Sequence, residues 1–106
     1  MKLENEKALI RTIAEGNTKS FEVLFYSYYP RLKGFICDLL QSPEEAEDIS
    51  QDIFTTLWQN RTSLDKIDNI SAYLFRIAKN AVYRHIERNM LFKNYQQKQT
   101  LSLIHI

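Results

Sequence analysis

The sequence predicts an all-α fold: a compact bundle of three main helices preceded by a shorter N-terminal one. Three observations predict it. The apolar side chains Phe21, Leu24, Phe25, Tyr28, Leu32, Phe35, Ile36 and Leu39 recur at intervals of three, one, three, four, three, one and three, the stripe of one buried helical face. The 106 residues include only two glycines and two prolines, so turns are few and elements long. Valine is scarce and strand-like alternation is absent. The length suits one domain, and six Phe, six Tyr and one Trp are enough to build its core.

A first helix is expected over residues 3–15, with Leu3, Lys7, Leu9, Ile10, Ile13 and Ala14 on one narrow face. Gly16-Asn17 ends it as a left-handed cap. Thr18 or Ser20 then caps a second helix over residues 20–40. Pro30 falls inside that helix, at a cost of about 3 kcal/mol and one hydrogen bond. Because the apolar stripe continues in phase beyond it, a kink after Tyr29 is expected rather than a break.

The clearest start signal is Ser42-Pro43-Glu44-Glu45: Ser42 as cap, Pro43 at the first helical position, and Glu45 closing a capping box. The acids sit at the positive end of the helix dipole. This third helix should run to about residue 60, with Ala46, Ile49, Ile53, Phe54 and Leu57 inward and Trp58 near the edge. Residues 61–69 read as a polar connector, longer than a tight turn. Asn69 or Ser71 caps a fourth helix that reaches residue 89 or beyond, with Leu74, Ile77, Ala78, Ala81 and His85 inward. Residues 93–100 read as the start of a linker after a domain spanning 1–92. The apolar string LSLIHI at 101–106 matches what one frame of a transposon-type sequencing adapter encodes, and is expected to be a non-native tail. The open reading frame would then be cut near Thr100.

Other classes are excluded in turn. Cys37 is the only cysteine, so no internal disulfide forms, and it reads as a structural thiol. His85 reads as a packed residue, without metal-ligand spacing around it. No glycine-rich phosphate loop, catalytic serine motif or carboxylate pair appears, so no enzyme and no cofactor are expected. The charged N-terminus is not a secretory signal, and no run of about 18 apolar residues exists to insert in a membrane. A cytoplasmic protein is the expectation.

The net charge of +1 hides two poles. Residues 43–52 carry Glu44, Glu45, Glu47, Asp48 and Asp52 with no cation. Residues 71–100 carry Arg76, Lys79, Arg84, Arg88, Lys93 and Lys98 against Glu87 alone. One acidic and one basic helix can hold a basic protein on one side and a polyanion on the other, the layout of an adaptor.

The strings FEVLFYSYYPRL (21–32), AEDISQDIFTTLW (46–58) and SAYLFRIAKN (71–80) resemble region two of bacterial sigma factors, and among these the extracytoplasmic-function type. All three occur in that family's order and spacing. The resemblance implies a promoter-specificity subunit that binds RNA polymerase core and recognises and helps open the −10 element. It implies that the acidic helix docks on a coiled coil of the largest polymerase subunit through Asp48, Gln51, Asp52 and Trp58. By periodicity alone these acids read as a solvated face and Trp58 as core. The resemblance makes DNA-binding residues of Arg76, Lys79, Asn80, Tyr83, Arg84 and Arg88, where cations meet phosphate and Asn80 a base edge. Arg76, Asn80, Tyr83, Arg84 and Glu87 form one continuous face. Tyr73 and Phe75 offer further rings, with core packing the stronger reading for Phe75.

The same resemblance assigns Asp65, Lys66, Ile67, Asp68 and Asn69 to a loop that receives a base flipped from the non-template strand. It implies an anti-sigma factor as a further partner. Primary sigma factors carry adjacent tryptophans where this chain has Arg76 and Ile77, which implies weaker melting and a stricter promoter requirement. Family members carry a second, helix-turn-helix domain for the −35 element, and nothing after Thr100 supplies it. The alternative is a helical protein-interaction module that does not bind DNA, its basic helix merely solvated.

Overall fold

In a computed structural model the described residues fold into four α-helices and one 3-10 helix. The structure describes the backbone of residues 6–104 and the side chains of residues 6–91. Helix α1 spans Glu6–Ala14, α2 Thr18–Leu40, α3 Pro43–Gln59 and α4 Ile70–Ile104, with the 3-10 helix Arg61–Lys66 between α3 and α4. The expected all-α bundle with a short leading helix is found. Leu3, assigned to the first helix, and the last two residues of the assigned tail lie outside the described residues, and the side chains of 92–106 are likewise not described.

Each helix starts and stops for local reasons. Gly16 takes φ +97°, a left-handed geometry that a Cβ would strain, and ends α1 as expected. The cap of α2 is Asn17, whose Oδ1 accepts from the Ser20 N–H at 3.0 Å, rather than Thr18 or Ser20. Ser20 is engaged elsewhere, its hydroxyl accepting from Thr12 Oγ1 at 2.7 Å. Pro30 lies within α2 without ending it. Gln41, at φ +55°, closes α2 by donating its N–H to the Cys37 carbonyl. Ser42 caps α3, accepting from the Glu45 N–H at 3.2 Å, with Pro43 at the first helical position. Asn69 caps α4 through Oδ1 and the Ala72 N–H at 3.1 Å.

The core joins Ile10 and Ile13 of α1, Leu24, Tyr28, Leu32 and Ile36 of α2, Ala46, Ile53, Phe54 and Leu57 of α3, and Leu74, Ala78 and Val82 of α4. α3 packs chiefly on α2, and α1 on the 3-10 helix. Four placements correct the sequence reading. Lys7 and Leu39 are exposed: Lys7 lies beyond the edge of the buried arc of α1, and Leu39, though in phase with the stripe, falls in the last turn of α2, past its last buried residue Ile36. The connector is not simply polar: it winds into the 3-10 helix and buries Leu64 completely. Ser50 is buried within the inner face of α3, and its hydroxyl has no hydrogen-bond partner.

α4 has 35 residues, so at 1.5 Å per residue it is about 52 Å long. Its backbone remains helical past residue 89 and through 93–104. Beyond His85, the described residues Ile86–Leu91 are all exposed, with Arg88 still lining the groove against α3.

Candidate functional site

Helix α3 presents a crest to solvent. Asp48, Gln51 and Asp52 are all exposed there, as their spacing of three and four requires. Gln51 Nε2 donates to Glu47 Oε1 at 3.3 Å, which turns the amide along the α2 side of the crest. Asp52 takes the opposite side, lining a groove between α3 and α4.

Trp58 is half-buried at the end of the crest. Its ring lies 5.1 Å from Phe21, and Phe21, Phe25, Tyr29 and Phe54 continue as one aromatic cluster between α2 and α3. Arg61 covers the other side. Its guanidinium carbon is 4.4 Å from the Trp58 ring, and Nη1 donates to the Trp58 carbonyl at 3.0 Å. Arg61 was not singled out in the sequence; a cation three residues after a tryptophan at a helix end was the available signal. Trp58 is thus neither wholly core nor free, but held on edge by Phe21 and Arg61.

On α4, Arg76, Lys79, Asn80, Tyr83, Arg84 and Arg88 are all exposed. The helix repeat brings Asn80, Tyr83 and Arg84 together around one shallow hollow, joined by Ile77 and Glu87. Two cations rest near rings of their own helix: Arg76 at 5.7 Å from Tyr73 and Lys79 at 5.8 Å from Tyr83. Phe75 packs edge-on against Phe35 at 5.3 Å, which makes it a packing residue.

The acidic and basic sets share the groove of ≈ 340 Å³ between α3 and α4, with Asp52 on one wall, Arg84 and Arg88 on the other, and Ile53, Leu57 and Ile77 among its lining. They do not neutralise each other. Among the described residues the only salt-bridge contact is His85 Nε2 with Glu45 Oε2, at 3.1 Å, an ion pair when the imidazole carries a proton. This corrects two expectations. Glu45 reaches across to α4 instead of completing a capping box, and His85 is a half-exposed partner of a carboxylate rather than an apolar packing residue.

The connector residues divide. Asp65, Lys66 and Asp68 are exposed. Ile67 packs against the core, and Asn69 is committed to capping α4. Among the described residues no group of three or more His, Cys, Asp or Glu gathers to hold a metal, and no helix is long and apolar enough to cross a membrane.

The sequence profile of Sigma-70 region 2 matches residues 24–91, from the core face of α2 through the connector and well into α4. The chain belongs to the sigma-70 region 2 family. That family is one of transcription proteins. Two relatives carry informative names. The RNA polymerase sigma-H factor of Pseudomonas aeruginosa is 23% identical over 83 residues, which are 78% of this chain and 43% of the relative. The ECF RNA polymerase sigma factor RpoE of Cereibacter sphaeroides is 31% identical over 75 residues, 69% of this chain and 41% of the relative. The chain therefore spans less than half the length of these curated relatives. Among solved structures, an engineered region 2 of sigmaE in complex with GTAAAA superposes with a TM-score of 0.66 at 22% identity, over 83% of this chain and 93% of that one. This likeness establishes the sigma region 2 fold for the bundle.

Proposed function

We propose that this chain is the domain of an extracytoplasmic-function sigma factor that binds RNA polymerase core through α3 and recognises and helps open the −10 promoter element through α4. The observation that carries the reading is that both charged sets stay open: Asp48 and Asp52 on α3 and Arg76, Lys79, Arg84 and Arg88 on α4 are all exposed, and although Asp52, Arg84 and Arg88 line the same groove, no ion pair joins the sets.

The polymerase contact is a coiled coil of the largest subunit. Exposed carboxylates accept charge-assisted hydrogen bonds from arginines on such a partner, and Gln51 adds a directed amide. Trp58, already held by Phe21 and Arg61, supplies a rigid apolar anchor with little ordering left to do.

The DNA contact is the non-template strand. The α4 cations neutralise phosphates and set register, Asn80 reaches a base edge, and Tyr83 offers a ring on which an unstacked base can rest. The solved fold-mate was determined with GTAAAA, which supports a nucleic acid on this fold. Of the loop residues Asp65, Lys66, Ile67, Asp68 and Asn69, the exposed Asp65, Lys66 and Asp68 meet a flipped base, while Ile67 and Asn69 hold the loop in place by packing on the core and capping α4. Residues 1–92 form the domain, 93–100 lead toward a linker, and 101–106 are adapter-derived. The protein works in the cytoplasm, is not an enzyme, and is held in check by an anti-sigma factor.

A salt series tests the reading. With four exposed cations among the described residues of α4, log affinity for single-stranded −10 DNA should fall against log salt with a slope of about −3, at about 0.7 per phosphate contact. Affinity that does not change with salt contradicts it and favours an interaction module whose basic helix is merely solvated.

A further inference from the structure

Ile77, Asn80, Tyr83, Arg84 and Glu87 line a shallow, open hollow on the outward side of α4. Ile77 is half-buried and forms its floor; Tyr83, 53% exposed, forms a wall. The ring of Tyr83 is steadied by Lys79 Nζ at 5.8 Å. Asn80, Arg84 and Glu87 stand exposed around the rim.

Glu87 is the one carboxylate in the sequence of α4, and among the described residues it has no ion-pair partner. On a helix whose other charges attract phosphate, a free carboxylate opposes binding. It is also an acceptor-only group. The nucleic-acid contact that suits such a group is an exocyclic amine, such as the N4 amine of cytosine or the N6 amine of adenine, which thymine lacks. The neighbours complete a site for an unpaired base: the Tyr83 face for stacking and Arg84 for the adjoining phosphate.

We propose that Glu87 is a specificity-determining residue: with Asn80 and Tyr83 it selects an unpaired base that carries an exocyclic amine, as cytosine does at N4, over thymine by accepting a hydrogen bond from that amine. Thymine is disfavoured because its O4, at the same ring position, is an acceptor facing an acceptor. The proposal rests on the reading of α4 as a DNA-binding helix and adds a base preference to it.

Fluorescence anisotropy of the full chain with labelled short oligo-dC and oligo-dT, at pH 8 and low salt, tests this. The wild type should bind oligo-dC about fivefold or more tighter than oligo-dT. Glu87→Gln should bring that ratio close to one, since the amide can donate to thymine O4, and should leave oligo-dT binding unchanged or stronger. Arg84→Ala should weaken both oligonucleotides alike, separating phosphate from base. An unaltered ratio in Glu87→Gln, or a wild-type preference for oligo-dT, overturns the reader role while salt-dependent binding preserves the DNA-binding reading. Absence of salt-dependent binding to either oligonucleotide overturns both.

Discussion

His85 Nε2 lies 3.1 Å from Glu45 Oε2, joining the middle of α4 to the first turn of α3. Asn89 Nδ2 stands 3.3 Å from the same ring nitrogen. The pair ties the helix that carries the acids to the helix that carries the cations, at the end of their shared groove. Glu45 is already favoured there by the dipole of α3.

Because both side chains are partly exposed, their coupling should be modest. A double-mutant cycle of Glu45→Gln and His85→Gln, followed by urea denaturation, should give a coupling below about 1 kcal/mol that shrinks as salt is added. A coupling above about 3 kcal/mol would mark the pair as an effectively buried clasp.

Tyr28 is fully buried, and its hydroxyl has no hydrogen-bond partner. Tyr28→Phe should therefore be neutral or stabilise by up to about 1 kcal/mol at neutral pH, since an unsatisfied polar atom is removed and the ring kept. Burial, and next the nearby Glu6 carboxylate, push the Tyr28 phenol above its usual value, while the Arg31 cation opposes the shift. With the folded value raised, the phenol's contribution is fully present below the unfolded value near pH 10 and is lost as pH rises through the folded one. The alkaline arm of a stability–pH curve should be shallower in Tyr28→Phe than in the wild type. Identical alkaline arms would show that Tyr28 does not titrate with unfolding.

Leu64 makes the connector part of the core. Leu64→Ala should cost about 2–5 kcal/mol in thermal or chemical unfolding, the range for emptying a buried leucine site. A loss under about 0.5 kcal/mol would return residues 61–66 to the status of a surface loop.

The helical architecture was legible because its signals are local. The apolar spacing of α2 and the Ser42-Pro43 start need only neighbouring residues. The exposed crest and cationic face were legible for the same reason: a charged side chain at helical spacing opposite a core stripe has nowhere to go but solvent. What failed was decided by tertiary partners. Thr18, Ser20 and Asn17 are all competent caps, and the contact of Ser20 with Thr12 on α1 leaves the role to Asn17. Glu45 fits a capping box by spacing, yet His85, forty residues away, takes its carboxylate. Leu64 is a lone apolar residue in a polar stretch, and nothing nearby says that α1 will cover it. Arg61 becomes meaningful only once α3 ends where its guanidinium can fold back over Trp58.

Separation of the two charged surfaces is best measured with two double variants assayed side by side for capture of RNA polymerase core and for binding of single-stranded −10 DNA. Asp48→Arg with Asp52→Arg should lose core capture by about tenfold or more while DNA binding is retained or strengthened, because each carboxylate is exposed and each reversal adds attraction for phosphate. Asn80→Ala with Arg84→Ala should weaken DNA binding by about tenfold while core capture is unchanged. Loss of both activities in each variant, or of neither, would contradict two independent surfaces on adjacent helices.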